Sequence, residues 1–335
     1  MNESQSRKKP TKRILLDTSF KLPERIVESD EKYIVYCNSF GVTNKALKGH
    51  TGTPVALDYL LKTEDDWQGI KPSLKFSHDR VSLYHWGEYE ALTEEHVGLA
   101  FAEGVWDDFT RDYRQARRKE KFVFFVANGP FENLRNCMEV EELYLKLVEK
   151  PEWVGDMFNA FTDLVIEGYE ELVKAGVEAD GFHFADDIAY KNGMLFSPKV
   201  YRELLFPCHK RLCDFFRSRG MPVMFHTDGK LDEALPLLIE AGITAIQPIE
   251  AKAGNDVKEL KKLYGKNLVF IGNIDVRKLS GSREEVENEV VSKVLAAREN
   301  GGYIYHSDHS VPPSVNFDNY RYALELVRKY GGYNR

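Results

Sequence analysis

Cysteine is scarce in this chain, with four residues in 335 (Cys37, Cys137, Cys208 and Cys213) and no CxxC pair. That spacing argues against a disulfide framework and points to a reducing, cytoplasmic setting. Long apolar runs are missing as well. No window approaches 18 consecutive apolar residues, which argues against a membrane-spanning helix. The opening MNESQSRKKPTKR lacks the hydrophobic stretch of a signal peptide, and residues 1–13 are expected to form a disordered tail. Positive charge is the minority sign, 46 Lys and Arg against 53 Asp and Glu, for a net charge of -7. A nucleic-acid or anionic-membrane partner needs a concentrated basic face. The one cation-rich run, Arg111 to Lys121, suits the solvated C-terminal end of a helix, where cations complement the dipole. Neither GxGxxG nor GxxxxGK[ST] occurs, so dinucleotide and P-loop readings have no support.

What is present is a repeated grammar: an apolar run, then polar residues able to act as acid, base or ligand, then an amphipathic stretch. The clearest instance is Met221 to Lys230, MPVMFHTDGK, where a short buried strand gives way to His226, Thr227, Asp228 and a turn glycine. Further strands are expected at Phe122–Val126 leading to Asn128, Gly181–Phe184 leading to Asp186 and Asp187, and Thr244–Gln247 leading to Glu250. Two more lie at Leu268–Ile271 leading to Asn273 and Asp275, and at Tyr303–Tyr305 leading to His306 and His309. Helices are expected between them, at 140–148, 152–174, 198–219, 231–240, 256–263, 283–299 and 317–329.

Alternation of this kind implies a parallel sheet with right-handed crossovers. Polar residues follow five successive strands, as expected where all those ends share one face around an axis, so the expected fold is α/β, a (β/α)8 TIM barrel. An open doubly wound sheet would concentrate them at one switch point. The barrel is expected over 91–335, beginning as early as 81, with 14–90 as an N-terminal extension packed on it. Within that extension Tyr33–Tyr36 and Asn38–Val42 suggest a hairpin, Glu64–Asp66 before Trp67 a helix start, and Val81–Trp86 a strand; Thr93 opens a helical pattern.

Three clusters bear chemistry. His226 and Asp228, two apart at a strand end, point to the same side, and Glu250 with His309 from later strands completes a four-ligand N/O set; the alternative is a hydrogen-bonded loop network. His183 with Asp186 and Asp187 offers two carboxyls whose pKa values burial can push apart, against a simple loop-bracing role. Asn273 and Asp275 either contact substrate or turn the chain. Tyr84, Trp86, Phe131, Tyr190 and Phe196 are candidates for the wall of a flat apolar pocket. Cys208, His209 and Cys213 suggest a metal site only superficially, because a five-residue helical step turns the two thiols apart.

The segments FHTDGKLDEALPLLIEAGITAIQPIEAKAG and YIYHSDHSVPPSVNFDNY make the chain resemble the uroporphyrinogen decarboxylase superfamily from about Phe122 to Tyr330. The resemblance implies a (β/α)8 barrel with its active site at the strand C-termini. It also implies one of two activities: cofactor-free decarboxylation of a porphyrinogen, or zinc-assisted methyl transfer between a small methylated compound and a corrinoid carried by a partner protein. The Arg-rich MRQAGRY-type loop of the decarboxylases is not found, and the HTDG and PIEAKAG segments look more like the methyltransferase side. On the zinc methyltransferase pattern His226 falls on the family histidine, Asp228 on the first cysteine, Glu250 on the glutamate and His309 on the last cysteine. Both thiolates are thus replaced, which suits polarisation of an oxygen better than activation of a thiol. The resemblance then implies a methoxy-type donor, with a proton from Asp186 or Asp187, orientation by His183, and substrate contacts from Asn128, Tyr190, Gln247, Asn273, Asp275 and His306.

Overall fold

Alternating apolar residues at Ile14 and Leu16 bury one face of the strand β1 (Lys12–Leu16), and its backbone pairs in parallel with a strand more than a hundred residues away. The computed structural model containing this pairing describes residues 11–49, 53–84 and 106–333. The chain divides into two compact units, Met1–His183 and Phe184–Arg335.

In the first unit the antiparallel strands β2 (Arg25–Ser29), β3 (Tyr33–Cys37), β4 (Val42–Leu47) and β5 (Val55–Tyr59) form a sheet in sequence order. Ile34, Tyr36 and Ala46 are buried in it. The expected hairpin is its centre, with Asn38 closing the turn by accepting hydrogen bonds from the Phe40 and Val42 amides. The helix α1 (Glu64–Ile70) starts at a Thr63 capping box with Asp66. Its Trp67 is fully buried and donates to Asp156.

The strand β6 (Val81–Tyr84) pairs with β1 antiparallel, and after the helix α2 (Trp106–Arg118) the strand β7 (Val123–Asn128) pairs with β1 in parallel. The parallel sheet therefore begins at Lys12, inside the stretch expected to be tail and extension. The reason is positional: β1 is too short and too far from its partner for a local pattern to show that it belongs to the sheet. Trp86 and the Thr93 helix start lie outside the described residues. The helices α3 (Pro130–Arg135), α4 (Val140–Glu149) and α5 (Pro151–Lys174) follow. In α5 Val154, Phe158, Phe161 and Val165 are buried at three- and four-residue spacing, the stripe that docks a helix on a core. The strand β8 (Gly181–Ala185) lies next to β7.

The second unit opens with a two-stranded ribbon, β9 (Ala189–Tyr190) and β10 (Gly193–Met194). The expected single helix over 198–219 is three pieces: α6 (Pro198–Val200), a π-helical turn (Tyr201–Leu205) and α7 (Phe206–Arg217). Strands β11 (Val223–His226), β12 (Ala245–Gln247), β13 (Val269–Ile271) and β14 (Tyr303–Ile304) pair in parallel in that order. They alternate with the helices α8 (Ala234–Ala241), α9 (Val257–Tyr264), α10 (Val276–Leu279) and α11 (Arg283–Ala297), and α12 (Phe317–Tyr330) follows β14. Val223, Phe225, Ile246 and Phe270 are fully buried, as in parallel sheets covered on both faces. The C-terminal ends of these four strands share one edge, and there the polar residues gather. Among the described residues no ladder closes the strands into a ring, and no described helix is long and apolar enough to cross a membrane.

Candidate metal centre

The second unit brings two imidazoles and three carboxylates together at the strand ends. Asp187 follows β8, His226 and Asp228 end β11, Glu250 follows β12 and His309 follows β14. Their donor atoms fall into two groups that share Asp228: Asp187, His226 and Asp228, and Asp228, Glu250 and His309, with all atoms in each within 4.8 Å of one another. His226 Nε2 lies 3.9 Å from Asp187 Oδ1 and 3.9 Å from Asp228 Oδ1, and His309 Nε2 lies 3.7 Å from Asp228 Oδ2. Two donors on one ion at about 2.1 Å are separated by roughly 3 to 4.2 Å, so the spacings within each group, taken by itself, suit a cation.

The backbone holds the cluster in register. Gly229 adopts φ +89° so that the chain can turn directly after Asp228, and its amide donates to Glu250 Oε2 at 2.8 Å. The Asp228 amide donates to Asp187 Oδ1 at 3.0 Å. Thr227 Oγ accepts from the Ile188 amide, tying β11 to the loop after β8. Asn255 donates to the carbonyls of Gly229 and Glu250 and accepts from the Leu231 amide.

Asp228 is the electrostatic centre. Burial and the neighbouring carboxylates Asp187 and Glu250 push its carboxyl above the usual range, while His226 and His309 pull it down. Its Oδ1 is buried and has no hydrogen-bond partner among the described residues. An orphaned carboxylate oxygen facing an imidazole is what a cation site leaves when no cation is counted. Opposing this, Lys252 Nζ sits 2.7 Å from Glu250 Oε1, and that bond raises the lysine pKa. The donor set of nitrogen and oxygen atoms fits a divalent cation, with the Lys252 ammonium competing for Glu250.

Asp186 is separate from this cluster although it adjoins Asp187. It is fully buried; its Oδ2 accepts from His209 Nε2 at 2.7 Å, and His209 Nδ1 lies 2.9 Å from the Tyr201 hydroxyl. Phe184 and Phe225 pack edgewise against the His209 ring. Cys208 and Cys213 are buried, and burial pushes the Cys213 thiol up to about 12. From sequence His209 stands out only within the Cys208–His209–Cys213 run, and Tyr201 does not stand out, because a histidine on a buried helix face looks like any core residue until its partner eight or twenty-three positions away is known. Lys252 was legible only as one residue of PIEAKAG.

Asn273 is fully buried in a left-handed backbone. Its amide donates to the Ile249 and Asn255 carbonyls and accepts from the Val257 amide. Asp275 caps α10 and chelates Arg277. Both residues thus brace the loop from within. His306 Nδ1 bonds to the Ser307 carbonyl, Gln247 is largely buried at the end of β12, and Tyr190 is half-exposed on β9. Asp308, fully buried, accepts from the Ala251 and Val276 amides and so fixes the loop carrying His309. Asn128 and His183 belong to the first unit. The Asn128 carbonyl accepts from Asn133, and the buried His183 ring meets Phe124 edge-on.

Residues 108–330 match the family model described as uroporphyrinogen decarboxylase. The chain belongs to the uroporphyrinogen decarboxylase family. Members of this family share the α/β TIM-barrel fold class, to which this protein belongs. Among its relatives, a uroporphyrinogen decarboxylase of Myxococcus xanthus is 25% identical over 55% of this chain and 50% of its own. A methylated-thiol–coenzyme M methyltransferase of Methanosarcina mazei is 26% identical over 51% of this chain and 44% of its own. The chain thus spans about half the length of the curated relatives it matches. A solved methyltransferase structure from Methanosarcina mazei superposes with a TM-score of 0.55 at 16% identity, covering 84% of this chain and 75% of that one, a likeness of fold.

Proposed function

We propose that this family member is a metal-dependent methyltransferase that moves a methyl group from a small methoxy-type compound to a corrinoid protein. The observation that carries the reading is the cluster around Asp228, in which His226, Glu250 and His309 converge with no thiolate among them. These four side chains would hold the metal. When bound, a divalent cation in such an N/O set supplies Lewis-acid polarisation of an ether oxygen.

The protein's own groups do the rest. Glu250, anchored by the Gly229 amide, fixes the carboxylate that orients the cluster. Lys252, half-exposed at the same carboxylate, presents an ammonium whose charge and N–H donors stabilise a departing oxygen anion. Tyr190, half-exposed on β9, offers an aromatic face to the donor.

The test is metal analysis of untagged native protein and of a double variant, Asp228→Ala with His309→Ala. About one equivalent of metal per chain, lost in the variant, with methyl transfer from a panel of methoxylated compounds to cob(I)alamin, supports the reading. Absence of stoichiometric metal overturns it. A second reading, metal-free porphyrinogen decarboxylation, is favoured by the decarboxylase relatives and would then be tested by tetrapyrrole binding.

A further inference from the structure

We infer that the strand ends hold a pair of divalent cations bridged by the Asp228 carboxylate, one between Asp187, His226 and Asp228 Oδ1 and the other between Asp228 Oδ2, Glu250 and His309. This rests on the metal reading above and divides its ligands between two ions. Among the described residues the donor atoms form two separate groups whose common member is Asp228. The two oxygens of Asp228 face different imidazoles: Oδ1 lies 3.9 Å from His226 Nε2, and Oδ2 lies 3.7 Å from His309 Nε2. A carboxylate that presents one oxygen to each side is placed as a bridge, and the ions of two-metal sites stand only about 3.5 to 4 Å apart.

The two halves are built alike. Each supplies one imidazole nitrogen and two carboxylates, an N/O set suited to zinc, manganese or cobalt, with positions left open for an outside oxygen ligand. Each outer carboxylate is held by one of two successive backbone amides: that of Asp228 donates to Asp187 Oδ1 at 3.0 Å, and that of Gly229 donates to Glu250 Oε2 at 2.8 Å. The turn after β11 therefore fixes both flanks at once. Charge points the same way, since three carboxylates outweigh a single divalent ion. Lys252 Nζ, 2.7 Å from Glu250 Oε1, supplies part of the missing positive charge in the second half. In the first half the buried Asp228 Oδ1 has no hydrogen-bond partner among the described residues, an acceptor in want of a cation. The first half accordingly fills first and accounts for the equivalent expected to stay with the protein through purification; the second fills as Lys252 gives way. With both filled, one oxygen of a small ligand is held by the two ions together.

Manganese(II) is the probe, because two of its ions across one carboxylate couple magnetically and lose the spectrum of an isolated ion. Chelator-treated native protein titrated with Mn2+ in equilibrium dialysis is expected to bind about two equivalents per chain, the second more weakly. At saturation its electron paramagnetic resonance spectrum is expected to be that of a coupled pair. Asp187→Asn and Glu250→Gln each keep an oxygen to accept from the backbone amide. Each variant is expected to bind about one equivalent, uncoupled, with unchanged circular dichroism. Saturation of native protein at about one equivalent, or a second equivalent without coupling, overturns the pair and leaves the single-ion methyltransferase reading standing. An Asp187→Asn protein that keeps the coupled pair does the same. Failure of native protein to bind Mn2+, Co2+ or Zn2+ overturns both.

Discussion

His209 Nε2 lies 2.7 Å from Asp186 Oδ2 with both side chains fully buried. On the other side of the ring His209 Nδ1 lies 2.9 Å from the Tyr201 hydroxyl, which burial keeps protonated well above its usual range. The three groups form one buried hydrogen-bonded chain. Because the Asp186 amide donates to the His226 carbonyl at 3.0 Å, the chain also fixes the loop from which Asp187 projects.

Replacing His209 with Leu removes a buried hydrogen bond to the Asp186 carboxylate. The expected loss is about 3 to 5 kcal/mol of unfolding free energy, against about 1 to 2 for Tyr201→Phe, which removes one neutral donor. Urea denaturation followed by circular dichroism measures both. A His209→Leu loss under about 1 kcal/mol would show that Asp186 is satisfied in some other way.

Gly229→Ala tests the turn beneath the cluster. A Cβ there would lie 2.5 Å from the Tyr190 amide nitrogen, on backbone at a positive φ, so something must shift. Gly220 has a similar φ of +74° with nothing within 4 Å. Gly220→Ala is expected to cost about 1 to 2 kcal/mol, the left-handed penalty alone, and Gly229→Ala clearly more, with reduced cation binding. Equal melting temperatures for the two variants would contradict this account of the turn.

Lys252→Met removes the cation that competes for Glu250 Oε1. Calorimetric titration with a divalent metal is expected to show affinity raised by roughly threefold to tenfold, the scale of a half-exposed ion pair. A weaker site in Lys252→Met would mean that the ammonium orders Glu250 for binding.

Asp275 supplies a pH dependence of known sign. Burial opposes its ionisation, but the hydrogen bonds from Arg277 prevail and hold its pKa below the ordinary 3.8. The unfolded chain therefore binds a proton more readily, and the stabilisation is present above the unfolded pKa and lost as pH falls through the folded one. Asp275→Asn, which keeps a capping oxygen, should flatten the acid limb of stability below about pH 5. Parallel acid limbs for native and variant would remove Asp275 from the acid response.

The five strand ends of the second part of the chain were readable because short apolar runs followed at once by His, Asp, Glu or Asn are local signals. His226, Asp228, Glu250 and His309 could be named for the same reason: period-two geometry at a strand end puts Asp228 on the side of His226. Gly229 was legible too, since a turn directly after the strand calls for positive φ. Membership of β1 in the parallel sheet was not legible, because Lys12–Leu16 gains its place from β7 across a separation that no window of sequence spans.

The sequence by itself determined the alternation of strands and helices, the family, and which residue types stand at the strand ends, since these depend on neighbours a few positions apart. Only the tertiary structure decided how the ends are used. Asp186 and Asp187 are adjacent in sequence and look alike, yet one is sealed against His209 and the other stands beside His226 and Asp228. Successive residues leaving a strand point to opposite sides, and what each side meets is set by elements folded in from elsewhere.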